Sequence, residues 1–311
     1  MYRWFALVLM MAVPTACAGQ VVRPNAVATL EVDSARVVDD LRFLSSPDLA
    51  GRGAGTPGNR VAREYIQREL ADAGVRPFDR GWSQSFSSGM PGVTNVTGTN
   101  IVGWVEGTEV PGRFIVVTAH YDHLGERNGT VYPGANDNAS GSAALLEIAR
   151  QVVANPLGHS VIFAAFDAEE SGLRGARAFV ADPPVALDAI VLNVNMDMVS
   201  RNTAGEIYVA GPFHYPFLAE HVRTVAERSE LEVLIGHDQP IPTPSDDWTG
   251  QSDHAAFHAA RIPFAYFGVE DHPDYHRPTD TFENTDPAFF VRAVDTVLDF
   301  IREVDRSPAF R

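Results

Sequence analysis

The chain has 311 residues, 45% of them hydrophobic, enough for one large domain or two small ones with a sizeable core. Its formal net charge of −16 argues against nucleic acid or an anionic membrane surface as partner, since both call for basic patches. All 24 basic residues are arginine and the single cysteine is Cys17, which excludes a Walker or Schiff-base lysine, a Ser-Lys hydrolase and, in a chain without its leader, a disulfide or cysteine nucleophile.

The start, MYRWFALVLMMAVPTACAGQ, combines Arg3, an apolar stretch from Trp4 to Val13 and small residues around Ala-Cys-Ala. That stretch is too short to span a bilayer, so residues 1–18 read as a secretory signal peptide. Cys17 offers an alternative, a lipoprotein signal ending at residue 16 with a lipid anchor on the cysteine. Pro14 disfavours it, standing where such signals prefer an aliphatic residue. Export is expected either way, to a periplasmic or extracellular location, and no later segment is apolar enough to be transmembrane.

GRGAGTPG, residues 51–58, resembles a dinucleotide loop superficially but follows a helical segment rather than a strand, and reads as a turn. TPGNRVAREYIQRELADAG then carries Val61/Ala62, Tyr65/Ile66 and Leu70 at helical spacing and closes on Gly74. NIVGWVEG and RFIVVTA read as strands, and ASGSAALLEIARQVVA as a helix with Leu145, Ile148/Ala149 and Val152 on one face. SVIFAAF and AIVLNVN are continuous apolar runs, the mark of parallel strands buried on both faces. GHDQPIPTPSDDWTG is the longest structureless stretch, and such loops usually cover a site. PFAYF is a further short strand, and AFFVRAVDTVLDFIREV a closing amphipathic helix. Alternating strands and helices predict an α/β fold, a three-layer α/β/α sandwich around a mainly parallel sheet.

Groups able to bind metal gather where these strands end. VVTAHYDHLG places His120, Asp122 and His123 after a strand, and GANDNASG places Asp137 before a helix. FDAEESG supplies Glu169 and Glu170, NVNMDMVS Asp197, and HPDYHRPTDT Tyr275 and His276. Ligands of open parallel sheets bind beyond the carboxyl ends of the strands, and imidazoles with carboxylates suit zinc. Two dications about 3.5 Å apart repel by roughly 19 kcal/mol at an effective dielectric of about 20, so several carboxylates are needed between and around them. A carboxylate left over is free to move a proton.

The ordered set AHYDHLG, GANDNASGSAALLE, FDAEESGLRGARAF, NMDMVS, SDHAAFHAARIPF and DYHRPTDT resembles the secreted di-zinc aminopeptidases of the bacterial leucyl aminopeptidase type. Their clan includes glutamate carboxypeptidases, glutaminyl cyclases and the transferrin receptor ectodomain, and the match runs from about residue 40 to 305. The resemblance implies two zinc ions per chain, His120 and Asp197 holding one, Glu170 and His276 the other, and Asp137 bridging them. It also implies Glu169 as general base, Tyr275 as the donor that steadies the oxyanion, and Asp122 as the acid that orients His120. A cis peptide bond would fall at Asp137–Asn138. Asn138 stands where many relatives carry a second aspartate, and no disulfide lies near the substrate loop, unlike in some secreted members.

Other residues divide between structure and pocket. His123 is no ligand in the family pattern and reads as pocket lining. Ser252 is well placed to cap a helix, leaving Asp253 and His254 as structural support for the substrate pocket. His159, His214, His221 and His237 lie outside the motifs and read as surface residues.

The resemblance implies an exopeptidase acting on peptides with a free N-terminus, with a single catalytic domain over residues 27–305. Only a short segment separates SFSSG from NIVGW, so no protease-associated insert is expected. Three readings compete on the same fold: a glutaminyl-peptide cyclotransferase, a glutamate-carboxypeptidase-like enzyme, for which the sequence alone places no arginine, and a non-catalytic receptor-like binding protein, which would have lost ligands. A serine hydrolase is weaker still, since no G-x-S-x-G elbow occurs.

Overall fold

A computed structural model describes residues 31–88, 96–239 and 246–310. The leader with Cys17, most of the segment before NIVGW and the middle of the Pro-rich loop lie outside the described residues.

The chain opens with helix α1 (Ser34–Leu44), whose first turn is capped by Asp33 accepting from the Arg36 amide. Helix α2 (Pro57–Ala73) follows, entered through Thr56 and Pro57 and closed by Gly74 at φ 99°, a left-handed turn that costs glycine little. Next come strands β1 (Arg76–Pro77), β2 (Ser83–Ser88), β3 (Val96–Val105) and β4 (Val110–His120), then a small hairpin of β5 (Gly125–Arg127) and β6 (Thr130–Tyr132). Helix α3 (Gly141–Ala154), strand β7 (His159–Phe166), helix α4 (Arg174–Ala181) and strand β8 (Ile190–Met196) form the middle of the chain. After β9 (Glu206–Ala210), α5 (Leu218–Ala226) and β10 (Glu232–Ile235), the chain ends with α6 (His254–Ala259), β11 (Phe264–Gly268) and α7 (Pro287–Asp305).

Among the described residues nine strands make one sheet, in the order β1-β3-β7-β4-β8-β11-β9-β10 with β2 paired to β3. Its centre, β7-β4-β8-β11, is parallel throughout. The antiparallel pairings lie outside that centre, at β3 against β7, β1 and β2 against β3, and β9 against β11. The predicted mainly parallel sheet is thus the central four strands, whose carboxyl ends share one edge.

Alternation along these strands builds the two outer layers. On β7, Val161, Phe163 and Ala165 belong to the cluster that also holds residues of α1, α2, α3, α5 and α7, while Ile162, Ala164 and Phe166 belong to the one with Phe179 of α4 and Phe257 of α6. Strand β4 divides likewise, Ile115 and Val117 to the first layer, Phe114 and Val116 to the second. Every residue of β7 and β8 is buried, as their mostly apolar character predicts.

His159 corrects an expectation. It is buried rather than superficial, with Nδ1 2.8 Å from Asp305 Oδ1 and Nε2 2.9 Å from the Phe310 carbonyl oxygen, tying the start of β7 to the end of α7. His214, His221 and His237 are half-buried.

Candidate metal centre

The four central strands deliver their acids and histidines to one edge. His120 is the last residue of β4, Asp197 follows β8 directly, and Glu169 and Glu170 lie three and four residues beyond β7. Adjacent residues on a strand would point to opposite faces, but Ala168 adopts φ 58°, and the amides of Gly172 and Leu173 donate back to the Glu169 carbonyl. That turn brings both glutamates to the same cavity. Asp137 enters from the loop before α3, through a cis Asp137–Asn138 peptide bond, and Tyr275 and His276 come from the segment after β11.

Asp137 lies between two groups of side chains. Its Oδ1 is 3.4 Å from His120 Nε2, which is also 3.4 Å from Asp197 Oδ1. Its Oδ2 is 3.0 Å from His276 Nε2 and 3.6 Å from His123 Nδ1. Glu170 completes the second group, 2.7 Å from His123 Nδ1 through Oε1 and 3.5 Å from His276 Nε2 through Oε2. Within each of the sets His120–Asp137–Asp197 and His123–Asp137–Glu170, the potential ligand atoms lie within 4.8 Å of one another.

The hydrogen bonds indicate what these atoms are arranged for. Buried polar atoms are almost always paired, yet His120 Nε2, Asp197 Oδ1, His123 Nδ1 and Glu170 Oε1 have no hydrogen-bond partner among the described residues. These four atoms fall into the same two groups, each a nitrogen and an oxygen facing common space. A cation in each place would satisfy them, and the donor set fits a metal of the zinc type.

Charge points the same way. The carboxylates lift the proton affinity of His276 to about 10, chiefly through Asp137 and then Glu170. Burial resists ionisation of Glu170, but the imidazoles of His123 and His276 hold its carboxyl well below the usual range. Glu169 differs from its neighbour: burial raises its carboxyl well above the ordinary value, with nearby His120 working against that rise. Its Oε2 stands 4.0 Å from His120 Nε2, and it belongs to neither ligand group.

Surrounding residues hold this arrangement. His120 Nδ1 lies 3.1 Å from the backbone carbonyl oxygen of Asp122 and 3.7 Å from its carboxylate. The Asp122 carboxylate also accepts the Glu169 amide at 3.0 Å, so Asp122 braces both residues. Asn138 donates to the Met196 carbonyl and accepts from the Gly141 amide, joining the Asp137 loop to β8 and α3. His254 is held neutral by burial, its value lowered to about 4, and its Nε2 lies 2.9 Å from the Trp248 carbonyl oxygen. Asp253 is fully buried, and burial pushes its carboxyl up to about 8. Tyr275 lines the cavity with its ring stacked on His276 at 3.9 Å, and burial raises its hydroxyl so that it stays a neutral donor.

Three supporting residues escape sequence reasoning. Ser252 makes no side-chain cap; its hydroxyl donates to Asp197 Oδ2 at 2.7 Å and accepts from Asn195 Nδ2 at 2.9 Å. Asp280, inside the quoted HRPTDT segment, accepts the backbone amides of Asn136 and Asp137. Arg52, in the turn GRGAGTPG, is completely buried and donates to the carbonyls of Leu44, Tyr121, Pro133 and Gly134. It thereby fastens the loops that carry His120 and Asp137. The nearest available signal for it is an arginine among glycines beside a helix start.

A cavity of about 360 Å³ opens onto the two groups, lined also by Leu173, Arg177, Met198, Gly250 and Gln251. Gly250 and Gln251 place the end of the long Pro-rich stretch beside the site.

The profile of Peptidase family M28 matches residues 100–301. Aminopeptidase YwaD of Bacillus subtilis is 36% identical over 275 residues, covering 83% of this chain and 53% of that protein. The chain spans about half the length of the curated relatives it matches. Among solved structures, BSAP, a zinc aminopeptidase from Bacillus subtilis, superposes with a TM-score of 0.70 at 21% identity, over 90% of this chain and 98% of that one. A glutaminyl cyclase from Bacteroides thetaiotaomicron superposes with a TM-score of 0.71 at 20% identity, over 87% of this chain and 98% of that one.

Proposed function

The chain belongs to peptidase family M28, and from that premise we propose that it is a zinc-dependent aminopeptidase that removes N-terminal residues from peptides with a free α-amine. The observation that carries this reading is the pair of unsatisfied ligand groups joined through Asp137, with Glu169 beside them and outside both. His120 and Asp197 would hold one zinc, Glu170 and His276 the other, and Asp137 would bridge them.

Zinc supplies Lewis acidity toward the scissile carbonyl and a lowered pKa for the attacking water. Glu169 takes the proton from that water and delivers it to the leaving amine, standing beside both ligand groups and outside them. Tyr275 donates its hydroxyl hydrogen to the carbonyl oxygen as negative charge develops there. Glu169 and Asp197 form the negative corner that receives the substrate's ammonium and disfavours blocked termini. Residues 27–305 would make one catalytic domain without an insert, exported by the leader or tethered at Cys17.

The superposed aminopeptidase and cyclase folds are equally close, so the fold does not choose between those activities. One observation favours a second reading, the carboxypeptidase-like one. Arg177, for which no ion pair is found among the described residues, lines the same cavity and can receive a substrate carboxylate. A panel of free, N-acetylated and C-terminally amidated dipeptides, with chelated and zinc-reconstituted protein, separates the readings. Hydrolysis that needs zinc and a free amine supports the aminopeptidase. Hydrolysis of N-acetylated substrates that needs the free carboxylate supports the alternative.

A further inference from the structure

His123 has a place that pocket lining does not explain. It lies three residues beyond His120, and its side chain is fully shielded from solvent. The ring is wedged against the loop that carries Asp137, so closely that a Cβ at Gly134 would lie 2.4 Å from His123 Cδ2. On its other side, Nδ1 approaches Glu170 Oε1 to 2.7 Å and Asp137 Oδ2 to 3.6 Å.

A histidine and a carboxylate so close would ordinarily be hydrogen-bonded. His159 and Asp305 in this same chain are, at 2.8 Å. The His123–Glu170 contact is shorter, yet neither Nδ1 nor Oε1 has a well-directed hydrogen-bond partner among the described residues. With the imidazole proton on Nε2, Nδ1 and Glu170 Oε1 bring two lone pairs to the same buried place, where a third centre can be shared. His276 Nε2 faces the same carboxylates, 3.0 Å from Asp137 Oδ2 and 3.5 Å from Glu170 Oε2.

We propose that His123 is a protein ligand, through Nδ1, of the metal held by Asp137, Glu170 and His276. This inference rests on the two-metal reading above and adds a consequence to it. The second metal would have four protein ligands, two imidazoles and two carboxylates, whereas the metal at His120, Asp137 and Asp197 would have three. Sites whose ligands all come from protein are characteristically structural, and sites with three keep a position for water or substrate. The second metal is then the tightly held one, and the first the exchangeable one.

Cobalt titration of the metal-free full chain, followed by visible absorption and by metal content after dialysis against a competing chelator, tests this. Wild-type protein should bind two equivalents in resolved steps. His123→Ala should weaken the tighter step at least tenfold and change its spectrum, while His120→Ala should weaken the other step. His123→Gln serves if the alanine variant fails to fold by circular dichroism, and histidine nitrogen NMR of the zinc-loaded wild type reports Nδ1 coordination without any substitution. A folded His123 variant with an unchanged tight step and spectrum, or a His123 Nδ1 signal unmoved by zinc, would overturn the inference while leaving the two-metal reading intact. A chain that binds no metal would overturn both.

Discussion

Ser252 donates its hydroxyl hydrogen to Asp197 Oδ2 across 2.7 Å, leaving Oδ1 to face His120. One oxygen of the carboxylate is thus fixed from behind and the other is presented to the cavity. Asn195 holds Ser252 in turn, so two residues, one on β8 and one just before α6, set the direction of one candidate ligand.

Ser252→Ala should therefore lower zinc affinity at the His120–Asp197 position by about 10–100-fold, the usual effect of removing a residue that orients a ligand. Competition with a chromogenic chelator measures it. An unchanged affinity would mean that Asp197 needs no such support.

The adjacent glutamates should separate in a metal-content assay. Glu169→Gln should keep its zinc and lose about 10²–10⁴-fold in turnover, since it removes the proton carrier, along with one charge of the ammonium-binding corner, but no ligand. Glu170→Gln should lose zinc as well. If Glu169→Gln loses metal instead, the division between the two residues is wrong.

Arg52→Met should destabilise the protein by about 3 kcal/mol or more, because it strips donors from several buried carbonyls. Arg52→Lys should recover only part of this, since an ammonium cannot reproduce the guanidinium fork. Urea denaturation of both variants provides the comparison, and a wild-type midpoint for Arg52→Met would contradict the role assigned to Arg52.

Acid stability should depend on the tie between β7 and α7. Burial alone would raise the Asp305 carboxyl, but the His159 side chain and the amides of Gly158 and His159 bring it below its ordinary value. A carboxyl lowered on folding contributes stability above the unfolded pKa near 3.8 and loses it as pH falls through the lower folded value. The stability difference between wild type and Asp305→Asn should accordingly shrink below about pH 4. Denaturation curves collected from pH 3 to 7 test this, and a difference that grows on acidification would contradict it.

His120, Glu170 and Asp197 are legible because each stands in a short motif just past an apolar run, where a parallel sheet collects its side chains, whereas Asp137 and His276 lie in loops and are marked by motif resemblance alone. Central strands such as SVIFAAF and AIVLNVN could be read from burial on both faces, which leaves them mostly apolar, the buried Asn193 and Asn195 being paired inside with Thr118 and Ser252. Arg52 was not legible, since three of its four carbonyl partners are 69 to 82 residues away and carbonyls leave no mark in a sequence. Ser252 misled because its place before a helix predicts a cap, whereas the hydroxyl turns to an aspartate 55 residues earlier. His159 misled likewise, its partners lying 146 and 151 residues further on, near the end of the chain. His123 was set aside because motif resemblance passes over it, and only its approach to Glu170 brings it into the site.

The central claim is a two-metal centre built around Asp137, and turnover measured during zinc titration tests it most directly. Metal-free protein should be inactive toward a free aminoacyl anilide, gain activity as zinc is added and reach full activity at two equivalents per chain. N-acetylated substrate should stay uncleaved throughout. Full activity at one equivalent, activity that persists in the metal-free protein, or equal cleavage of the acetylated substrate would contradict the account.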